Sequence, residues 1–527
     1  GALQTARAMS VVTSANPGPI YERHQPETTT LYKLVQANWL SFQEQVERDL
    51  GYPLPEFVVK EFEAYLRCGI LAHGFLRAQC SSCHHEMLVA FSCKKRGFCP
   101  SCGARRMAET AAHLVDHVLP HKNIRQWVLT FPVPIRLCLA VRSKVMARAL
   151  DIAHLVIGQY YRQKAGLGAQ NSKSGAVTLI QRFGGSLNLN IHFHQLFVDG
   201  CYELGGQGEP VDFWAASAPT VKEIEEVLAK IIAKLTRYLE RQKIIIKDDE
   251  NDGFQLPIPD EDTLSKLQAT SVTYRFATGK SKGKKALVLK SVTDNDHTAT
   301  KGLVAKNSGF SLHAGVSTRS HERDRLERVC RYIARPAVAE ERLSTDEYGN
   351  VIYRFKKPWD DGTTAMKLTP MELMERLVAL VPRPRVHLTR YHGVLGPHYK
   401  HRKQIVPKPP APAELKLAQN NPIVSGPTII EPQQLELKRK NIPWARLLAR
   451  VFDIDVETCI KCGGKMKIIS AIEDPKVIRK ILDHLGLPTK PPPPHPARGP
   501  PNQGNHFGDD FQQHFEMSSD NFTQFAD

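Results

Sequence analysis

Two pairs of cysteines, Cys80-x2-Cys83 and Cys99-x2-Cys102, separated by fifteen residues, constrain this chain more than any other local feature. Two close thiolate pairs are what a tetrahedral Zn²⁺ site requires: each pair sits on a tight turn, and the ion draws the turns together. Six of the eleven cysteines fall between Cys68 and Cys102. In a cytosolic setting that clustering favours metal over disulfides. The spacing predicts a zinc ribbon held by Cys80, Cys83, Cys99 and Cys102, with Gly97 and Gly103 loosening the second turn. Cys93 and His84 or His85 are substitute ligands, and Cys68-x4-His73 is a possible second site just upstream. Cys459-x2-Cys462-Gly-Gly is half a zinc site with no second cysteine pair beside it; His484 is a further donor there. Lys94, Lys95, Arg96, Arg105 and Arg106 surround the ribbon and are expected to contact phosphate, the alternative being a solvated face.

The 527 residues suffice for two to four domains at ~100–200 residues each, and 42% apolar composition allows a sizeable core. No apolar run approaches the ~18–20 residues that span a bilayer, which argues against a membrane partner. Gly1–Arg23 lacks the charged-then-apolar pattern of a secretory signal, so an intracellular protein is expected. The net charge of +17 points to a polyanionic partner, nucleic acid being the commonest, rather than to any particular fold.

Apolar spacing predicts helices between Thr30 and Cys68, after Met107, over Val141–Tyr161, over 221–240 and over Arg323–Ala334, stopped by Pro336. Trp127–Phe131, Val177–Phe183 and Ile191–Val198 read as strands, with weaker strand signals at Ser271–Phe276 and Ala286–Ser291. Strands interleaved with helices, without a regular βαβ rhythm or a Gly-rich phosphate loop, favour an α+β domain. On the strand Ile191–Val198, His192 and His194 stand two residues apart. Side chains alternate across a strand, so both imidazoles share one face while Ile191, Phe193 and Phe197 take the other. Two neutral imidazoles so placed can chelate one divalent ion, although a His-x-His strand is more often surface or core.

The wider pattern changes that balance. The ribbon Cys80–Cys102 with its following Gly-Ala-Arg-Arg comes first, then Gln181-Arg-Phe-Gly-Gly-Ser-Leu-Asn-Leu-Asn-Ile-His-Phe-His194. Gly309–Val316, Leu326–Pro336, Arg390–Pro397 and Cys459–Gly464 follow. These stretches resemble the HUH (His, bulky apolar, His) single-strand nucleases. They are more closely similar to the rolling-circle transposases of the insertion-sequence-ninety-one kind and the related common-region elements. The resemblance runs from about residue 35 to residue 488 in the family's order. It implies that His192 and His194 are metal ligands and that Tyr332 is the nucleophile. A third, oxygen-bearing ligand is expected, and Gln181 is the candidate by analogy with related nucleases. Some members carry two tyrosines four residues apart; here Pro336 stands at the second position, so the chain resembles a single-tyrosine variant.

The resemblance further implies a transposase that nicks and rejoins single-stranded DNA at insertion-element ends through a 5′-phosphotyrosine, with target DNA as its other partner. Mg²⁺ or Mn²⁺ serves catalysis and Zn²⁺ the ribbon, and the setting is the nucleoid-associated cytoplasm of a bacterial-type cell. The residue types suit that chemistry independently. A divalent cation neutralises phosphodiester oxygens, and a nearby cation favours the phenolate of a tyrosine whose ordinary pKa is ~10. Arg328 and Arg335, four and three residues from Tyr332, lie on nearby helix faces and are expected to help hold phosphate. Tyr391 and Tyr399, in a basic His-rich segment, are rival nucleophiles assigned here to DNA contact.

The expected organisation is a disordered 1–28, a helical and zinc-ribbon DNA-binding domain at 29–120, and an HUH catalytic domain at 121–345. A basic extension at 346–406, a linker at 407–441, a small CxxC module at 442–488 and a disordered tail at 489–527 complete it. Rival functions are a rolling-circle replication initiator or relaxase, a non-catalytic zinc-ribbon DNA-binding regulator, and an RNA-binding protein.

Overall fold

The computed structural model describes residues 24–248, 253–255, 262–290, 302–359, 361–408, 456–493 and 495–496. The expected disordered ends and the 407–441 linker lie almost entirely outside these residues, as do residues 442–455. In chain order the elements that matter here are α1 (Thr30–Leu50), α2 (Glu56–Arg67), β1 (Phe75–Cys80), β2 (Glu86–Ala90), α3 (Pro100–His117) and β3 (Ile124–Thr130). Next come α4 (Val133–Val141), α5 (Ser143–Lys164), β4 (Gly175–Phe183), β5 (Leu189–Val198), α6 (Val221–Arg241) and α7 (Thr263–Val272). The chain continues through β6 (Val304–Asn307), β7 (Phe310–Thr318), α8 (Arg323–Ile333), α9 (Pro370–Leu380), β8 (Thr389–Gly393), β9 (Met466–Ile472) and α10 (Pro475–His484). They form two compact units, the smaller built from the described residues of 69–91 and 429–491.

The larger unit is organised by a six-stranded antiparallel sheet in the order β6-β7-β3-β5-β4-β8, so β5 is a central strand. Every residue of β5 is buried, which requires apolar cover on both faces. On one face Trp127, Leu129, Phe131, Ile191, Phe193 and Phe197 pack against α4, α5 and α6. Helix α6 is fixed for that role by a Thr220/Glu223 capping box and by buried Ile224, Val227, Leu228, Ile231, Leu235 and Leu239 at helical spacing. On the other face Val177, Leu179, Leu196 and Val198 pack against Leu114 and Val115 of α3 and Leu326, Cys330 and Ile333 of α8. The antiparallel sheet flanked by helices matches the expected α+β class.

A buried polar knot ties the first face to the strand ends. The Arg125 guanidinium meets the Asp199 carboxylate at 2.8 Å, Tyr161 donates to Asp199 Oδ1 at 2.9 Å, and the Trp127 indole donates to Tyr161 at 3.0 Å. Burial and the adjacent Asp199 charge hold the Tyr161 phenol well above its ordinary range.

Two local expectations need correction. Ser271–Phe276 is not a strand: α7 runs through Val272 because the Asp262 side chain caps it by accepting Ser265 N–H at 2.6 Å, with Leu264, Leu267 and Val272 buried on one side. The β-branched composition of that stretch misleads, since tertiary packing overrides propensity. Helix α3 begins at Pro100 rather than after Met107, with Pro100 at its first turn, where a missing N–H costs nothing.

The smaller unit is a three-stranded antiparallel sheet, β9-β1-β2, with α10 packed through Ile478 and Leu482 onto Leu71 and Phe75. The segment expected as a separate 442–488 module is therefore not separate: its strand β9 pairs along β1, from Phe75 opposite Ile472 to Cys80 opposite Met466. Among the described residues no helix is long and apolar enough to cross a membrane.

Candidate active site and metal centres

The cysteines form two four-thiol clusters, and neither is the predicted one. In the larger unit Cys68, at the end of α2, meets Cys93, Cys99 and Cys102. Their sulfurs stand 3.3 Å (Cys93–Cys102), 3.7 Å (Cys68–Cys102) and 3.8 Å (Cys68–Cys99) apart. In the smaller unit Cys80 and Cys83 meet Cys459 and Cys462, with sulfurs 3.5 Å (Cys80–Cys462) and 3.6 Å (Cys83–Cys459) apart. The expectation that Cys80, Cys83, Cys99 and Cys102 share one ion is corrected: each pair completes its shell with other cysteines. Cys93, a substitute ligand on sequence grounds, is a full member, whereas His73, His84, His85 and His484 belong to neither cluster.

All eleven cysteines are free thiols. Four thiolates around zinc at about 2.3 Å stand about 3.8 Å from one another, close to the spacings seen. In the larger cluster the neighbouring thiols of Cys68, Cys93 and Cys99 push Cys102 down, while Cys102 pushes Cys93 and Cys99 up. The four cannot ionise together unless a cation lies among them, which is what zinc supplies. Gly103 does more than loosen a turn: it lies in α3 where a Cβ would meet the Pro336 Cβ at 2.5 Å, so only glycine allows that packing.

The His pair occupies the sheet face that carries α8. In register, Thr130 faces His192, Val128 faces His194, and Gln181 faces His192 from the other side. Gln181 falls on the same face as Val177 and Leu179, and the imidazoles on that of Leu196 and Val198. The two rings are buried with centroids 4.8 Å apart. Burial, opposed only by the hydrogen bond to Asn190, lowers His192 to about 4, and burial with its like-charged neighbours puts His194 well below its ordinary value. Both rings are therefore neutral near pH 7, the form that ligates metal.

His192 Nδ1 lies 2.9 Å from the Asn190 carbonyl, which can only accept; the ring proton sits on Nδ1 and Nε2 keeps its lone pair. The Gln126 carboxamide nitrogen lies 2.8 Å from His194 Nδ1. In that orientation it donates and puts the ring proton on Nε2. Turned over, its oxygen accepts Nδ1–H and frees Nε2, so metal binding selects the flipped amide. His194 Nε2 and Gln181 Oε1 are buried without a hydrogen-bond partner, and the Gln181 amide donates to the Ile333 carbonyl at 3.1 Å. Orphaned acceptors of this kind suit a cation. The residues fit a divalent ion as a neutral imidazole, imidazole and carboxamide set. No carboxylate joins them: among the described residues, His, Cys, Asp and Glu donors gather in threes or more at the thiol clusters alone.

Tyr332, half-buried on α8, is flanked by cations. The Arg335 guanidinium lies 4.3 Å from its ring centroid and the Lys356 ammonium 5.0 Å. Arg335 also donates to the Tyr332 carbonyl at 3.0 Å, and its charge reaches both His192 and His194. Burial lowers Arg335 below the ordinary guanidinium range. Arg328 is exposed on α8. Of the rival phenols, Tyr399 donates its hydroxyl to the Gly208 carbonyl at 2.7 Å, and Tyr391 lies on the edge strand β8.

A cleft of about 120 Å³ opens beside Gln181, between the turn of Cys99 and the end of α8; its walls include Lys95, Arg96, Arg106, Arg182 and Arg335. Of the basic residues expected at DNA, Arg105 pairs with Glu109 at 2.9 Å and Lys94 is exposed. Cys68, expected as part of a possible second site with His73, instead joins Cys93, Cys99 and Cys102. Two residues missed by sequence reasoning belong to these sites: Gln126 against His194, and Arg182. The last lies beside the point where the β4–β5 register shifts, between Gln181 and Phe183.

Residues 34–131 match a family model described as "Transposase zinc-binding domain", and residues 175–403 match one described as "Putative transposase". No curated protein and no solved structure matches the chain. The first match covers the thiol cluster at Cys68, Cys93, Cys99 and Cys102 together with Cys80 and Cys83, and the second covers the His pair, Gln181 and Tyr332. With zinc-binding thiols followed by an antiparallel sheet that buries a His-x-His pair, the chain belongs to the IS91-type transposase family.

Proposed function

We propose that this transposase nicks and rejoins single-stranded DNA at insertion-element ends in rolling-circle fashion, with Tyr332 as nucleophile and a Mg²⁺ or Mn²⁺ ion on His192, His194 and Gln181. One observation carries the reading: Arg335 lies against the Tyr332 ring while its charge reaches both imidazoles, on the sheet face where two buried acceptors lack partners. When bound, the ion neutralises the phosphate oxygens and aligns the scissile bond. A neutral donor set leaves the ion's charge for the substrate phosphate.

Tyr332 gives up its proton, its oxygen bonds to phosphorus, and the P–O3′ bond breaks, releasing a 3′-hydroxyl and leaving a 5′-phosphotyrosine. That diester keeps the bond for the reverse attack by a 3′-hydroxyl, which rejoins the strand. Arg335 and Lys356 hold the phosphate beside the phenol, and Lys95, Arg96 and Arg106 receive the flanking strand. The zinc clusters fold the chain and present those cations. With a single tyrosine in the motif, cleavage and rejoining occur one strand at a time.

The test is strand cleavage of labelled single-stranded element ends with Mg²⁺. Tyr332→Phe is expected to abolish cleavage while binding holds within about twofold, and His192→Ala or His194→Ala to lose metal-dependent cleavage. Cleavage that survives Tyr332→Phe removes the tyrosine from the mechanism. Single-stranded RNA outcompeting DNA at matched salt removes DNA as the substrate.

A further inference from the structure

Among the described residues, Arg182 is a buried charge with no partner of opposite sign. It is 5% exposed, and its Nε and Nη2 are buried without a hydrogen-bond partner among the described residues. An unpaired buried guanidinium is costly, and proteins retain one where a ligand completes it. Its electrostatic neighbours are Arg383 and Arg96, both of its own sign. Arg383 is already paired with Asp262 at 2.6 Å. The Glu61 carboxylate acts on Lys95, Arg96 and Arg106 and accepts the Gly97 N–H at 2.6 Å, so it balances the rim and not Arg182. Arg182 and Gln181 both line this one cleft, beside the point where the β4–β5 register shifts.

We propose that the cleft is a phosphate subsite: a backbone phosphodiester of the single strand, next to the one that reacts, seats on the Arg182 guanidinium with Lys95, Arg96 and Arg335 around it. The inference rests on the reading that this face binds single-stranded DNA. Two parallel N–H donors on a planar group match two phosphate oxygens, a geometry a lysine cannot reproduce. Because the subsite adjoins Gln181, a phosphate held there fixes the register of the strand relative to the His pair.

The test is binding, not cleavage, in the Tyr332→Phe background, so failure of the nicking reading leaves it interpretable. Anisotropy titrations of a labelled single-stranded oligonucleotide over a range of KCl give affinity and salt slope, and a thermal melt gives Tm. Arg182→Met is expected to weaken binding about tenfold and to lower the log–log salt slope by about 0.7, one phosphate contact on a single strand. Its Tm should hold or rise, because an unpaired buried cation has been replaced by an apolar chain. Unchanged affinity and slope overturn the proposal, whether Tm falls or holds. Should Arg182→Met fail to fold, Arg182→Lys, which keeps the charge but not the two parallel donors, decides: binding weakened several-fold supports the subsite and unchanged binding overturns it.

Discussion

Replacing Cys459 and Cys462 with serine should halve the zinc content and open a region hundreds of residues away in sequence. Among the described residues, the main buried apolar cluster of the smaller unit is Leu71, Phe75, Ile478 and Leu482. At ~1.5–3 kcal/mol each, they contribute roughly 6–12 kcal/mol before conformational entropy opposes them at ~1–2 kcal/mol per ordered residue. A four-thiolate zinc contributes roughly 10–16 kcal/mol, so the ion outweighs the core and its loss should melt the unit. Wild-type protein is expected to bind two zinc ions per chain and the double variant one. Amide exchange along Phe75–Cys80 and Met466–Ile472 should accelerate to that of an open segment, while Ile124–Thr130 and Leu189–Val198 keep their protection. Two zinc ions in the double variant, or continued protection of Met466–Ile472, would refute the partition of thiols. A single ribbon of Cys80, Cys83, Cys99 and Cys102 predicts no such loss.

Other consequences are as direct. Asp199→Ala leaves the buried Arg125 charge unpaired and strips Tyr161 of its acceptor, and should cost roughly 3–5 kcal/mol in chemical denaturation. Gln126→Leu removes the group that orients His194 and should weaken Mn²⁺ binding by roughly 10–100-fold in calorimetry while His192 stays held by Asn190. Acid should destabilise the larger unit well above carboxylate pH values. His154 and His392 stack at 4.5 Å, and burial lowers them to about 3 and about 4. Their folded pKa values lie below the unfolded ~6.5, so their contribution is complete above pH 6.5 and is lost as pH falls toward 4. For His392 alone the full loss is about 3 kcal/mol. Denaturation midpoints at pH 7 and 4.5 check it, and His154→Phe, which keeps the ring stack on Phe197, should flatten the dependence.

The larger sheet was legible because strand periodicity is local. Apolar Ile191, Phe193 and Phe197 alternating with His192 and His194 announced both faces of β5, and the buried structure follows that alternation. The helix over 221–240 was equally plain from its apolar stripe. The sharing of thiols was not legible. Cys80, Cys99 and Cys459 each open an identical Cys-x2-Cys, so spacing cannot say which pairs share an ion. The partners of Cys80 and Cys83 stand 382 and 376 residues downstream. Cys68 and Cys93 belong to no close pair, and only the return of the chain past the end of α2 makes them ligands. Arg182 was hidden for another reason: strand alternation puts the neighbour of Gln181 on the opposite face, yet both residues line the same cleft.

The central claim is that the Tyr332 phenol and the two imidazoles act on one phosphate. Incubating the protein with single-stranded element ends and Mn²⁺, digesting it, and sequencing the nucleotide-bearing peptide by mass spectrometry tests this most directly. The account predicts a 5′-linked nucleotide on Tyr332, formed only with the divalent ion and absent from the His194→Ala variant. A nucleotide on Tyr391 or Tyr399, or an adduct that forms equally well without divalent metal, would contradict it.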